Sequence, residues 1–181
     1  GALTVTPGWW LLTAVSGAIS VVSFRKWKTI GPAPRDVAPV EPARALPRGA
    51  IGRDEVARYI NVRTQVLTMH SSIRVLHPDA AIELRAADSA AAPALNALVE
   101  RLAVLHDLRT QLPNTAAAKT AESAANVISS RLLIGCQSYD TLLAAAATLM
   151  AAPDIGMQAN LQPAADSLIA YAHGLERAAD L

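Results

Sequence analysis

The chain reads as an all-α protein: an N-terminal transmembrane helix, a proline-rich linker and an elongated antiparallel bundle of about four coiled-coil-like helices. Three observations predict this. No charged side chain occurs from Gly1 to Phe24. Five of the eleven prolines fall between Pro32 and Pro47. Beyond residue 52, apolar residues recur at spacings of three and four, and no segment sustains the period-two alternation of a strand.

The apolar segment Leu3–Phe24 meets the roughly 20 residues that a membrane-spanning helix needs. Pro7 suits a first helical turn, where its missing N–H costs nothing. Trp9 and Trp10 mark one end and Trp27 the other, about 25 Å apart at the ~1.5 Å rise of a helix. Indoles at both edges fit the two membrane interfaces, and Arg25, Lys26 and Lys28 supply a basic exit. By the positive-inside rule, the rest of the chain is then cytoplasmic. An export signal would place its positive charge before the apolar run rather than after it. A buried core helix is the other alternative, and the uncharged length and one-sided basic flank oppose it. Thr13, Ser16, Gly17, Ser20 and Ser23 share one face, which would let a second transmembrane helix approach closely. Small residues are also ordinary in membrane helices.

Residues 29–51 form the predicted juxtamembrane linker, extended because prolines at 32, 34, 39, 42 and 47 forbid a helix. Charge is sorted along the chain. Arg25–Arg53 holds seven basic and two acidic residues, a net +5, whereas Asp54–Leu181 carries a net −4 from nine basic and thirteen acidic residues. Arg35, Arg44 and Arg48 are either solvated or drawn to anionic lipid. With no aromatic interleaving and no recognition motif, the basic part does not read as a nucleic-acid surface.

Residues 52–181 form the predicted cytoplasmic bundle. Its first seam is Tyr59, Val62, Val66, Met69, Ile73 and Leu76, ended by His77-Pro78-Asp79. The second is Leu84, Ala87, Ala91, Leu95, Leu98, Leu102 and Leu105, with Pro93 expected to kink it or to split the helix near Ser89. After Pro113-Asn114 the third runs through Ala121, Ala125, Ile128, Leu132, Gly135, Tyr139, Leu142, Ala146 and Leu149. The fourth takes Met157, Leu161, Ala164, Leu168, Tyr171, Leu175 and Ala178. The second and third helices each approach 35 residues, roughly 50 Å. Composition agrees, being 52% hydrophobic but 4% aromatic, so close helix contact through small residues replaces a large aromatic core.

Catalytic chemistry finds no support in the residues. His70 and His77 lie seven apart with Asp79 nearby, whereas a helical metal pair usually sits at i, i+4. His106 and His173 have no ligand at useful spacing. The lone Cys136 excludes an internal disulfide framework, suits a reducing compartment and reads as a small buried thiol. Asp54 and Glu55 suit a first helical turn, where acids complement the dipole. Phosphate loops, dinucleotide fingerprints and nucleophile elbows are absent from the sequence. The expectation is a non-enzyme without cofactor or metal. Ile60, Leu67, Val99 and Leu108 fall outside the seams, as a partner surface or as a wider core stripe.

Two C-terminal stretches carry a family resemblance. One is LLIGCQSYDTLLAAAATLMAA (Leu132–Ala152), with Tyr139-Asp140 before an alanine-rich run; the other is LQPAADSLIAYAHGLERAADL (Leu161–Leu181), with Tyr171-Ala172. With the apolar segment, the exit RKWK and the proline-rich linker in the same order, the chain resembles the PspM family of actinobacterial phage-shock envelope-stress membrane proteins. The resemblance implies a membrane-anchored, non-enzymatic adaptor that helps maintain membrane integrity. Its implied partners are the lipid bilayer, a PspA-like coiled-coil protein and that protein's transcriptional regulator. It also implies further N-terminal sequence with a preceding membrane segment. The rival reading is a ligand-sensing helical bundle of a receptor-like membrane protein, which would need a polar cluster inside the bundle.

Overall fold

A computed structural model describes residues 43–151 and 161–179. Among them are four α-helices: α1 (Arg53–Leu76), α2 (Pro78–Gln111), α3 (Ala116–Ala151) and α4 (Leu161–Ala179). The predicted transmembrane helix and most of the linker lie outside the described residues.

Local chemistry sets the helix boundaries. Gly52, at φ 81°, precedes α1, and Asp54 and Glu55 occupy the first turn. A single residue, His77, joins α1 to α2. Its N–H donates to the Ile73 carbonyl at 2.7 Å, closing α1, and its own carbonyl accepts from Ala81 N–H at 3.1 Å, opening α2. Pro78 at the start of α2 keeps His77 out of helical dihedrals, so the chain reverses there. At the other end, Asn114 takes a left-handed φ of 65°. Thr115 Oγ1 then accepts from Ala118 N–H at 3.1 Å and caps α3.

α2 and α3 are 34 and 36 residues long. They form a central antiparallel pair, with α1 seated against both on one side and α4 against both on the other; α1 and α4 do not meet. The bundle is thus two three-helix cores sharing α2 and α3. Gly135 makes the central contact possible, because a Cβ there would lie 2.5 Å from Leu95 Cδ2. Tyr59, Val66, Ile73, Leu84, Leu95, Leu132, Tyr139, Leu142 and Leu168 are fully buried, as their seams require.

Several seam ends depart from expectation. Leu76, beside the His77 reversal, is 61% exposed, and Ala178 is exposed near the end of α4. Met157 lies outside the described residues. Pro93 does not split α2, which runs unbroken from Pro78 to Gln111. The proline is exposed, while Ala91, Ala92, Ala94 and Leu95 around it are buried and hold the helix through it. The end of the linker is packed rather than free. Leu46 and Ala50 join the hydrophobic core, and Arg109 Nη2 donates to the Gly49 carbonyl at 2.9 Å.

By length and composition, one described helix, α3, could cross a membrane. In this fold it is a bundle helix, packed against α1, α2 and α4.

Candidate functional site

The interior of the α1–α2–α3 core holds a polar cluster. Its members come from all three helices because three seams converge there. On α1, Tyr59 and Arg63 are one turn apart on the buried face. On α2, Asp88 and Asn96 are two turns apart, and Asp88 is fully buried. On α3, Tyr139 sits one helical turn from Gly135 and Cys136, where small residues leave room for its ring.

Hydrogen bonds join its members across the three helices. Arg63 Nε donates to Asp88 Oδ1 at 3.0 Å, and Arg63 Nη2 lies 3.5 Å from Asp88 Oδ2. Tyr139 donates its hydroxyl to the same Oδ1 at 2.9 Å. The Tyr59 hydroxyl donates to Asn96 Oδ1 at 2.9 Å and lies 3.4 Å from the Ala92 carbonyl. The two tyrosine rings are tilted by 59° with centroids 6.0 Å apart, a favourable aromatic arrangement.

A carboxylate with no exposed surface is costly unless it is paired and hydrogen-bonded. Here one guanidinium and one phenol satisfy it. Burial works against the Arg63 charge, but the Asp88 hydrogen bond and charge outweigh it and raise the guanidinium pKa. Burial, reinforced by the Asp88 charge, pushes the Tyr139 hydroxyl well above the usual phenol range, and burial does the same for Tyr59. Both phenols are therefore donors and not bases. Chemically, the arrangement fixes the register of α1 against α2 and α3. The exposed pair Arg58–Asp140, with Nη2 to Oδ2 at 2.6 Å, adds a second polar link between α1 and α3.

The sequence-predicted positions fall elsewhere. Trp9, Trp10, Arg25, Lys26, Trp27 and Lys28, and the small-residue face Thr13, Ser16, Gly17, Ser20 and Ser23, lie outside the described residues. Of the four suggested partner contacts, Leu67 is exposed at 37%, Ile60 is half-buried against the core, and Leu108 is half-buried. Val99 is 1% exposed and is not an available contact. It shares the α2 stripe of Asp88, Ala92 and Asn96 that faces α1, so at Val99 the wider core stripe holds and the partner surface does not.

Cys136 is buried, and burial raises its thiol to about 11. Its Sγ lies 3.8 Å from the Glu55 carbonyl, consistent with an inert structural thiol. Burial and the charges of Arg85 and Arg74 lower the His70 pKa, an environment hostile to a cation. No group of three potential metal ligands occurs among the described residues.

Arg63, Asp88 and Asn96 carry no motif or spacing that marks them in the sequence. The available signal is register: each lies beside an apolar seam position, with Asp88 between Ala87 and the alanines at 90–92. Periodicity also does not reveal that Val75, Ile82, Val104, Val127 and Ile134 are exposed.

Comparison with known proteins places the chain in a family. No curated protein and no solved structure matches it. A family model does, over residues 2–177, which takes in the apolar segment, the linker and nearly all of the described bundle. Its name is of the mycobacterial kind, which points to an actinobacterial source. The chain belongs to the Rv2743c family.

Proposed function

We propose that the protein is a non-enzymatic, membrane-anchored adaptor of the actinobacterial envelope stress response, of the phage-shock PspM kind. Residues 3–24 anchor it, and the bundle works at the cytoplasmic face, where it offers a helical surface to a PspA-like coiled-coil protein. The observation that carries this reading is the reach of the family match. It treats the uncharged N-terminal segment, its basic exit and the bundle as one unit.

The interior supports the same reading. Arg63, Asp88 and Tyr139 are the kind of buried cluster that a binding site or active site could use, yet they are committed to one another. The hollow against α4, lined by Ala94, Leu98, Arg101 and Leu175, is about 80 Å³, and the one beside His106 and Arg109 about 10 Å³. A larger one of about 280 Å³ at the start of α1, lined by Gly49, Gly52, Arg53, Asp54 and Glu55, is polar and open to solvent. Small-molecule pockets run to roughly 300–1,000 Å³ and are concave and mostly apolar. The ligand-sensor alternative gains from the presence of a polar cluster inside the bundle. It loses because Asp88, the buried charge of that cluster, is already held by Arg63 and Tyr139.

Sidedness and partnership are tested together. A chain with Arg48→Cys in a Cys136→Ala background should react with a membrane-impermeant maleimide only after the cells are opened. The tagged chain, extracted from native membranes, should carry a coiled-coil protein with it. Labelling of intact cells would favour the sensor reading, and recovery without any coiled-coil partner would count against the adaptor.

A further inference from the structure

We propose that α1 is an exchangeable helix, which docks either on its own α2 and α3 or on those of a second copy of the chain, with His77 as the hinge. The connection makes this a one-residue event. His77 sits at φ −138°, ψ 77°. Helical dihedrals at this residue, near −63° and −42°, would run α1 straight into α2. One continuous helix would then extend from Arg53 to Gln111, carrying α1 out of its own groove.

The chemistry of the vacated groove selects the replacement. Without α1, Asp88 loses its guanidinium while Tyr139 still donates to it, and Asn96 loses the Tyr59 hydroxyl. An occupant must bring a phenol and a guanidinium four residues apart on one helical face, and a further guanidinium for Asp140. Another α1 carries all three, at Tyr59, Arg63 and Arg58. A purely apolar helix would strand the buried carboxylate. Leu46 and Ala50, which pack on the core, and Gly49, which accepts from Arg109, precede α1 and exchange with it. Because α1 touches α2 and α3 but not α4, the packing among α2, α3 and α4 stays in place.

The surface around the hinge fits the exchanged form. Val75 is 81% exposed and Ile82 61% exposed, on either side of His77. Seven residues apart, they would share one stripe of the straightened helix. Two such helices crossing antiparallel near residues 78 and 79 would set the Val75 of each copy against the Ile82 of the other. Both aliphatics, solvated in the closed hairpin, would then be covered. Pro78 limits the exchange, because the residue before a proline avoids helical dihedrals and so favours the closed form. It is not an absolute block, since this chain already holds Pro93 inside a continuous helix.

The test uses the full chain in membranes, as two differently tagged copies in a Cys136→Ala background. One copy carries Arg58→Cys and the other Asp140→Cys, and a short bis-maleimide joins thiols brought together when α1 of one copy docks on the other. A product carrying both tags is expected. It should rise several-fold with Pro78→Ala and fall to background with Val75→Asp and Ile82→Asp together. Placing both cysteines in one chain confirms that the reporter reaches within the bundle. An Arg177→Cys copy on the remote α4 measures simple collision. The proposal is overturned if the single-chain control joins while the mixed pair does not, or if the mixed pair appears only with Pro78→Ala. It is equally overturned if the Arg177→Cys copy joins as well as the Asp140→Cys copy, or if the aspartate pair leaves the mixed product unchanged.

Discussion

Arg63 and Asp88, twenty-five residues apart in sequence, meet across the α1–α2 interface with Nε 3.0 Å from Oδ1, and both are buried. A pair of this kind is asymmetric in its energetics. Making it contributes little net stability, whereas breaking it strands a charge in the interior.

Replacing Arg63 by Met alone should therefore cost about 3–5 kcal/mol, because Asp88 stays buried without its cation. Combining Arg63→Met with Asp88→Leu should recover most of that loss. Adding Tyr139→Phe should recover more, by removing a hydroxyl left without an acceptor. Chemical denaturation followed by circular dichroism reads the series. A double variant no more stable than Arg63→Met would contradict the assignment.

Arg58 gives the matching control. Its pair with Asp140 is short at 2.6 Å, but the two side chains are 49% and 43% exposed. Water and salt screen such a pair, and exposed ion pairs add little. Arg58→Ala should leave the unfolding midpoint unchanged within error. A loss approaching that of Arg63→Met would show that proximity, not burial, governs these contacts.

The contrast between these arginines explains what is legible in the sequence. Helix period is a local property, so the all-α class, the reversals at His77-Pro78 and Pro113-Asn114, and the lengths of α2 and α3 can all be read directly. Seam centres such as Tyr59, Leu95 and Tyr139 are equally plain. The arrangement of helices is not legible. A seam says that a face is buried but not by how many neighbours, and α2 serves two cores at once. That is why Val99 belongs to the wider core stripe and not to a partner surface. Arg63 and Asp88 are hidden for a related reason, since a charge beside a seam looks solvated until a partner from another helix is placed on it. Pro93 does not split α2, because helix-breaking is a local tendency and packing of the flanking alanines overrides it.

Two glycines should respond in opposite directions to alanine. Gly174 lies in α4, and a methyl group added there would meet nothing within 4 Å. Gly174→Ala should therefore stabilise by about 0.5–1 kcal/mol through helix propensity. At Gly135 the same gain is opposed by a Cβ 2.5 Å from the buried Leu95. Overpacking typically costs about 1–3 kcal/mol, so Gly135→Ala should be neutral to destabilising. Thermal unfolding of the two variants side by side checks this. Stabilisation at Gly135 equal to that at Gly174 would mean that α2 and α3 are not in close contact.

Alkaline pH should unfold the bundle early. Burial raises the Cys136 thiol from about 9 to about 11 and raises the Tyr139 and Tyr59 hydroxyls further. The folded state thus favours the protonated forms. This stability is fully present below the unfolded-state values and is lost as pH climbs, for the thiol between about 9 and 11. Cys136→Ala should flatten the decline in that window, and folded protein at pH 8 should resist thiol alkylation. Fast alkylation of the folded chain would contradict the burial of Cys136.

The adaptor reading is tested most directly by crosslinking in native membranes. Leu67 is the one residue of the four suggested contacts that is exposed, so a photo-reactive side chain placed there samples the bundle surface without entering the core. Adducts with a PspA-like coiled-coil protein are expected, identified by mass spectrometry and lost when that protein is deleted. Adducts with lipid or with unrelated proteins only, from a chain that is folded and membrane-bound, would contradict it.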